Sequence, residues 1–175
     1  MKNYLIVVDM QKDFVDGALG SKEAVAIVPN AAEKIRTFDG KIFVTFDTHF
    51  ADYMDTQEGK KLPVPHCIKD TDGWRLDKQI EAALADKDFV RVEKNTFGAK
   101  HLPKLIQDDA HGEEFTITLI GICTDICVVS NALLLKANFP EAEISVVKTC
   151  CAGVTPALHD AAITTMQSCQ ITMTE

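Results

Sequence analysis

Leu5-Ile6-Val7-Val8 and Phe115-Thr116-Ile117-Thr118-Leu119-Ile120 are the two stretches that decide the fold. Both are short, rich in β-branched residues and apolar on both faces, the second interrupted only by its two threonines. A strand with no polar face must be covered from both sides, which points to a parallel sheet between layers of helix. Outward from them, further strands are expected at residues 4–8, 41–46, 89–93, 115–120, 143–147 and 170–174. Segments of helical period fall between them, at residues 29–38, 75–85, 100–107, 125–137 and 156–167. Pro29 and Pro156 suit first turns of their helices, and Thr155 suits the N-cap of the last. Strand and helix in alternation predict an α/β fold: a three-layer α-β-α arrangement around a mostly parallel six-stranded sheet, with right-handed crossovers. At 175 residues, one domain over 1–175 is expected.

Composition narrows the partners. A net charge of −8 argues against a nucleic-acid backbone or an anionic membrane surface, and no apolar run is long enough to span a bilayer. The opening apolar run is too short for a secretion signal and meets Asp9 at once, so a cytoplasmic address is expected. Six cysteines then have to be buried hydrophobes, metal ligands or nucleophiles rather than a disulfide framework.

The alternation breaks between Asp47 and Trp74, where neither period holds. A loop beyond ~15 residues in a compact domain is usually functional. In open α/β sheets, ligands lie past the carboxyl ends of strands, which is where Asp9, Asp47, Lys94 and residues 122–127 fall.

In Gly121-Ile122-Cys123-Thr124-Asp125-Ile126-Cys127-Val128 a buried strand meets a helix that Thr124 or Asp125 can cap. Cys127 in the first turn would be favoured as thiolate by the helix dipole, and free N–H groups there can bind an oxyanion. Asp9 can act as its base and Lys94 as a neighbouring cation, giving a Cys–Asp–Lys set. Cys123 is the competing nucleophile. Each of these residues alone also has a plain structural reading, as packed thiol, turn residue or surface charge.

Asp47 and His49, two apart at a strand end, point the same way, and His66 returns after two prolines. This O,N,N set suits a divalent metal, zinc first and iron or manganese as alternatives, with Asp55 as the candidate fourth ligand. Cys67, facing away from His66, is expected to pack. His159, in the last helix, is expected to be a surface or packing residue.

Taken together, the segments at residues 5–14, 45–49, 65–68 and 93–97 and the Gly121-x-x-Thr124-Asp125-x-Cys127-Val128 motif resemble the isochorismatase-like cysteine hydrolases, within them the nicotinamidase and pyrazinamidase group. The resemblance implies Cys127 as nucleophile, Asp9 as base and Lys94 as third catalytic member. It implies a metal on Asp47, His49 and His66, with Asp55 where some relatives add a ligand. It also implies an oxyanion hole from the backbone N–H groups of Cys123 and Cys127, with a cis Ile122–Cys123 peptide. Isochorismatases proper lack the cysteine, so its presence favours hydrolysis of a small-molecule amide, nicotinamide leading, as in NAD salvage.

One departure concerns the substrate. Relatives place an aromatic three residues before the second metal histidine, where this chain has Pro63. Phe14, Phe97 and Trp74 are the remaining candidates for pocket walls. The alternatives are a metal-independent hydrolase of an N-carbamoyl or ureido compound, and a metal- or thiol-binding protein without turnover. Leu133, Leu134 and Leu135 in succession widen the apolar girth of their helix, from which a homo-oligomer is expected.

Overall fold

The computed structural model describes residues 1–175. Six strands, β1 (Lys2–Val8), β2 (Lys41–Asp47), β3 (Phe89–Lys94), β4 (Phe115–Ile122), β5 (Glu143–Ala152) and β6 (Thr172–Thr174), form one sheet in the order β3-β2-β1-β4-β5-β6. Every pairing is parallel. The two stretches quoted first are the paired central strands, with Leu5 opposite Thr118 and Val7 opposite Ile120. Helices α1 (Lys12–Val15), α2 (Lys22–Thr37), α3 (Gln57–Lys61), α4 (Lys78–Leu84), α5 (Leu102–Ala110), α6 (Val129–Asn138) and α7 (Pro156–Ser168) complete the fold. No helix is long and apolar enough to cross a membrane.

The period-2 alternation of β1 distributes its side chains between two cores. Leu5 and Val7 pack with Val28, Ala31 and Ile35 of α2 and Ile80 of α4. Tyr4, Ile6 and Val8 pack with Leu102 and Ile106 of α5, Ala132 and Leu135 of α6 and Met166 of α7. All five β1 residues are fully buried, as a strand covered on both faces requires.

Two expectations about helices need correction. Helix α2 begins at Lys22, capped by Ser21 accepting from the Ala24 N–H, so Pro29 lies inside it rather than in its first turn. Pro29 and Val25 both lie on the exposed face, where water can take the carbonyl that the missing N–H leaves unpaired. Second, the segment after β4 opens as a π turn over Thr124–Val128, continued by α6, and neither Thr124 nor Asp125 caps it. Thr155 does cap α7, accepting from the Leu158 N–H.

The strand order reverses between β1 and β4, so their carboxyl ends open a crevice. Gly121 sets its width. Its φ is +125°, and a Cβ there would lie 2.1 Å from the Val8 carbonyl oxygen. Gly121→Ala therefore meets a left-handed backbone and a backbone clash together, and should lower stability by about 3 kcal/mol or more, read as the unfolding free energy in urea.

Candidate active site

The end of β1 supplies Asp9, fully buried and in the left-handed region at φ 48°. Its backbone N–H donates to Thr45 Oγ1 at 3.1 Å, and the same hydroxyl donates back to Asp9 Oδ1 at 2.6 Å. Oδ2 faces the Lys94 ammonium at 2.7 Å and takes no bond from the backbone. Lys94, the last residue of β3, also lies 3.6 Å from Cys127 Sγ and 3.5 Å from Asp47 Oδ1. Two carboxylates from the ends of β1 and β2 and a thiol from the turn after β4 thus meet at one buried ammonium.

Their protonation follows from burial and charge. Burial disfavours the Lys94 ammonium, but Asp9, Cys127 and Asp47 outweigh it and keep the group charged well above neutral pH. Burial raises the Asp9 pKa, opposed mainly by Lys94. Burial and Asp9 push the Cys127 thiol well above the ordinary thiol range, with Lys94 pulling the other way. The helix start is expected to favour the thiolate; in the structure, burial of the sulfur and the Asp9 charge act against ionisation, while Lys94 acts for it. Cys123 is pushed up to about 12, first by burial and then by Asp125 and Asp9. The Ile122–Cys123 peptide is cis.

A second cluster adjoins the first through Asp47. His49 Nε2 lies 2.9 Å and His66 Nε2 3.5 Å from Asp47 Oδ2, and Glu58 Oε1 is 3.7 Å from both imidazoles. The four ligand atoms lie within 4.8 Å of one another. His66 Nδ1 is anchored on the Val64 carbonyl at 2.8 Å, which leaves Nε2 facing the cluster. Burial raises the Asp47 carboxyl, but His49, His66 and Lys94 outweigh it and hold it below the ordinary carboxylate range. Two imidazoles and two carboxylates, largely buried and converging, fit a divalent ion.

The expected fourth ligand is corrected here. Asp55 is exposed, ends a short 3₁₀ turn at Tyr53–Asp55, and does not join the cluster. Glu58 takes that place from α3, which starts because Thr56 caps it by accepting from the Gly59 N–H. Gly59 is buried against Tyr53, where a Cβ would lie 2.1 Å from the carbonyl oxygen, so the helix turns tightly enough to bring Glu58 inward. Thr56-x-x-Gly59 was the available signal inside an otherwise aperiodic loop.

The two clusters share a cavity of about 610 Å³ whose lining includes Asp47, His66, Cys123 and Cys127. Phe14 and Phe97 line it, Phe14 with its ring 5.4 Å from that of His66. Trp74 does not. Its indole N–H donates to Thr48 Oγ1 at 2.9 Å, and its ring packs on Phe46 under the Arg91 guanidinium. The ring is buried with its one polar atom satisfied, as a buried indole requires. Leu62 stands at the rim in its place.

Three positions that hold the site were not singled out from the sequence. Gln11 is fully buried, accepts from the Asp47 N–H at 2.7 Å and donates to the Asp47 and Trp74 carbonyls at 2.9 Å each. Thr45 orients Asp9. Asn131 of α6 accepts from the Ala99 N–H and donates to the Cys127 carbonyl, tying the 95–99 loop to the π turn that carries Cys127.

A crevice at the switch point of a six-stranded parallel sheet, lined by Asp47, His66 and Cys127 with Asp9 and Lys94 buried behind them, is the geometry of an enzyme-type pocket in an open α/β sheet. The model of the isochorismatase domain matches residues 3–175, and the chain belongs to that family of hydrolases. No curated protein sequence matches it. Among solved structures, it is similar to nicotinamidase/pyrazinamidase from Bacillus subtilis, with TM-score 0.87 and 24% identity over 100% of both chains. It is also similar to pyrazinamidase/nicotinamidase from Streptococcus mutans, with TM-score 0.85 and 27% identity over 98% of this chain and 99% of that one. N-carbamoylsarcosine amidase from Thermoplasma acidophilum matches with TM-score 0.79 and 26% identity over 100% of this chain and 96% of the other.

Proposed function

We propose that the protein is a cysteine amidohydrolase of small primary amides, with nicotinamide the leading substrate. The observation that carries this reading is the Lys94 ammonium held 2.7 Å from Asp9 and 3.6 Å from Cys127 Sγ at the edge of the cavity. Asp9 takes the proton of the Cys127 thiol, and Lys94 stabilises the thiolate that forms. The thiolate attacks the amide carbon, and the backbone N–H groups of Cys123 and Cys127 donate to the oxyanion. Asp9 returns the proton to the leaving nitrogen, and ammonia departs from a thioester on Cys127. Asp9 then takes a proton from water, which attacks the thioester and releases the acid and the free thiol.

Asp47, His49, Glu58 and His66 would hold a divalent metal ion, with zinc the first expectation and iron or manganese the alternatives. When bound, the ion supplies an anchor for a ring nitrogen or an orienting water, a positioning role. Glu58→Gln should weaken zinc binding by about tenfold or more, whereas Asp55→Asn leaves it unchanged, read by titration of the chelator-stripped protein.

Because burial raises the Asp9 pKa and the base must be ionised, activity is lost as pH falls through that raised value. The acid limb of kcat/KM should therefore lie above the ~3.9 of an ordinary aspartate, measured as a pH profile of ammonia release.

A second reading, hydrolysis of an N-carbamoyl or ureido compound, is favoured by Pro63 at the place of a clamping aromatic. Ammonia release from nicotinamide, pyrazinamide and N-carbamoyl amino acids, with metal analysis of the same preparation, separates the readings. Turnover of nicotinamide by metal-loaded protein supports the first, and turnover of carbamoyl compounds alone supports the second. No turnover of any of them would leave a binding protein. Leu133 and Leu134 of α6 are half-buried, Leu133 against the chain's own core, and association with a second copy is read from the oligomeric state in solution.

A further inference from the structure

The nucleophile turn carries no side-chain cap of its own. Its first two side chains instead reach outward to the segment after β5. Thr124, fully buried, shares a hydrogen bond of 2.8 Å between Oγ1 and Nδ1 of His159 on α7. Asp125 Oδ1 accepts from the Val154 N–H at 2.9 Å. Gly153 permits this approach, since a Cβ there would lie 2.8 Å from both Asp125 Oδ1 and the His159 backbone nitrogen. We propose that His159 is a positioning residue: through Thr124 it fixes the π turn that aims Cys127 and its backbone N–H at the substrate carbonyl.

Thr124 is three residues from Cys127, and the intervening turn closes on itself, with the Ile126 and Val128 N–H groups both donating to the Cys123 carbonyl. A shift of Thr124 is therefore passed to the Cys127 sulfur and N–H with little slack. Misplacement of a reacting group by about 1 Å can cost about a hundredfold in rate. The Asp9–Lys94 pair, by contrast, stands on strands β1 and β3 and does not depend on α7. Losing the His159 bond should thus displace the nucleophile relative to a fixed base and cation. It should change the chemical step more than substrate binding.

The proposal rests on Cys127 as the nucleophile, and its test is built to fail separately from that reading. In the full-length protein, His159→Ala should lower kcat for nicotinamide or pyrazinamide by about tenfold or more while KM moves less than about twofold. His159→Asn, which keeps a polar atom where Nδ1 was, should recover most of the rate. His159→Gln, whose polar atoms fall near the Nε2 position, should recover less. Thr124→Val should match His159→Ala, and the double variant should be no worse than either, since both remove one interaction. Alkylation of Cys127 by iodoacetamide, followed by peptide mass spectrometry, gives a substrate-free readout that should slow in the same order. Unchanged kcat and alkylation in His159→Ala, additive losses in the double variant, or equal rescue by Asn and Gln would overturn the proposal. If the wild-type protein hydrolyses neither amide, the amidase reading fails and the alkylation series alone decides on His159.

Discussion

Cys127→Ala is expected to abolish ammonia release, by about 10⁴-fold or more, while leaving the fold and the metal cluster intact. The magnitude follows from covalent catalysis: without sulfur no thioester forms, and what remains is whatever binding and the oxyanion donors can do alone. Alanine fits the buried position because it only removes one atom next to Lys94. The loss should be confined to chemistry, so circular dichroism and metal content stay unchanged. Cys123→Ala is the control. Cys123 also lines the cavity, but burial, Asp125 and Asp9 hold its thiol near 12, and its expected contribution is a backbone N–H that alanine retains. It should keep activity within about tenfold of the wild type.

Lys94→Met is expected to have the largest effect on stability. The Lys94 side chain is 2% exposed, and its ammonium lies between two buried carboxylates, 2.7 Å from Asp9 and 3.5 Å from Asp47. Removing one partner of a buried ion pair typically costs about 3–5 kcal/mol, because the remaining charge has neither water nor a counterion. For a chain of this size that is a fall in melting temperature of about 10 °C. Asp9 would respond by binding a proton, since the group that chiefly lowers its pKa has gone, and the base would be lost along with the cation. Activity should therefore vanish at neutral pH. The double variant Lys94→Met/Asp9→Asn removes both charges and should recover much of the lost stability without recovering any activity. Calorimetry of the wild type, Lys94→Met, Asp9→Asn and the double variant reads the coupling directly.

The fold was legible because β1 and β4 carry no polar face, and only a sheet covered on both sides accommodates them. Asp9, Lys94 and Cys127 were legible because each sits just past or at a strand end, and parallel strands bring those ends together. Where the backbone departs from periodic structure, local sequence said less. Glu58 lies in the aperiodic loop and is turned inward by a five-residue helix, so strand spacing could not select it over Asp55. Trp74 looked like a pocket wall because it is aromatic and near the loop's end, yet its indole N–H fixes it on Thr48. Gln11, Thr45 and Asn131 act on backbone atoms distant in sequence, and contacts of that kind have no periodic signature. The balance of burial, Asp9 and Lys94 at the Cys127 thiol depends on how deeply the site is buried, which no motif states.

The central claim is that an acyl group passes through the Cys127 sulfur. Acid quenching of the protein during turnover of nicotinamide, followed by peptide mass spectrometry, tests it most directly. The account predicts a nicotinoyl adduct on the peptide bearing Cys127, which disappears as substrate is exhausted. Turnover with the adduct on Cys123, or continued ammonia release from Cys127→Ala with no adduct at all, would contradict it.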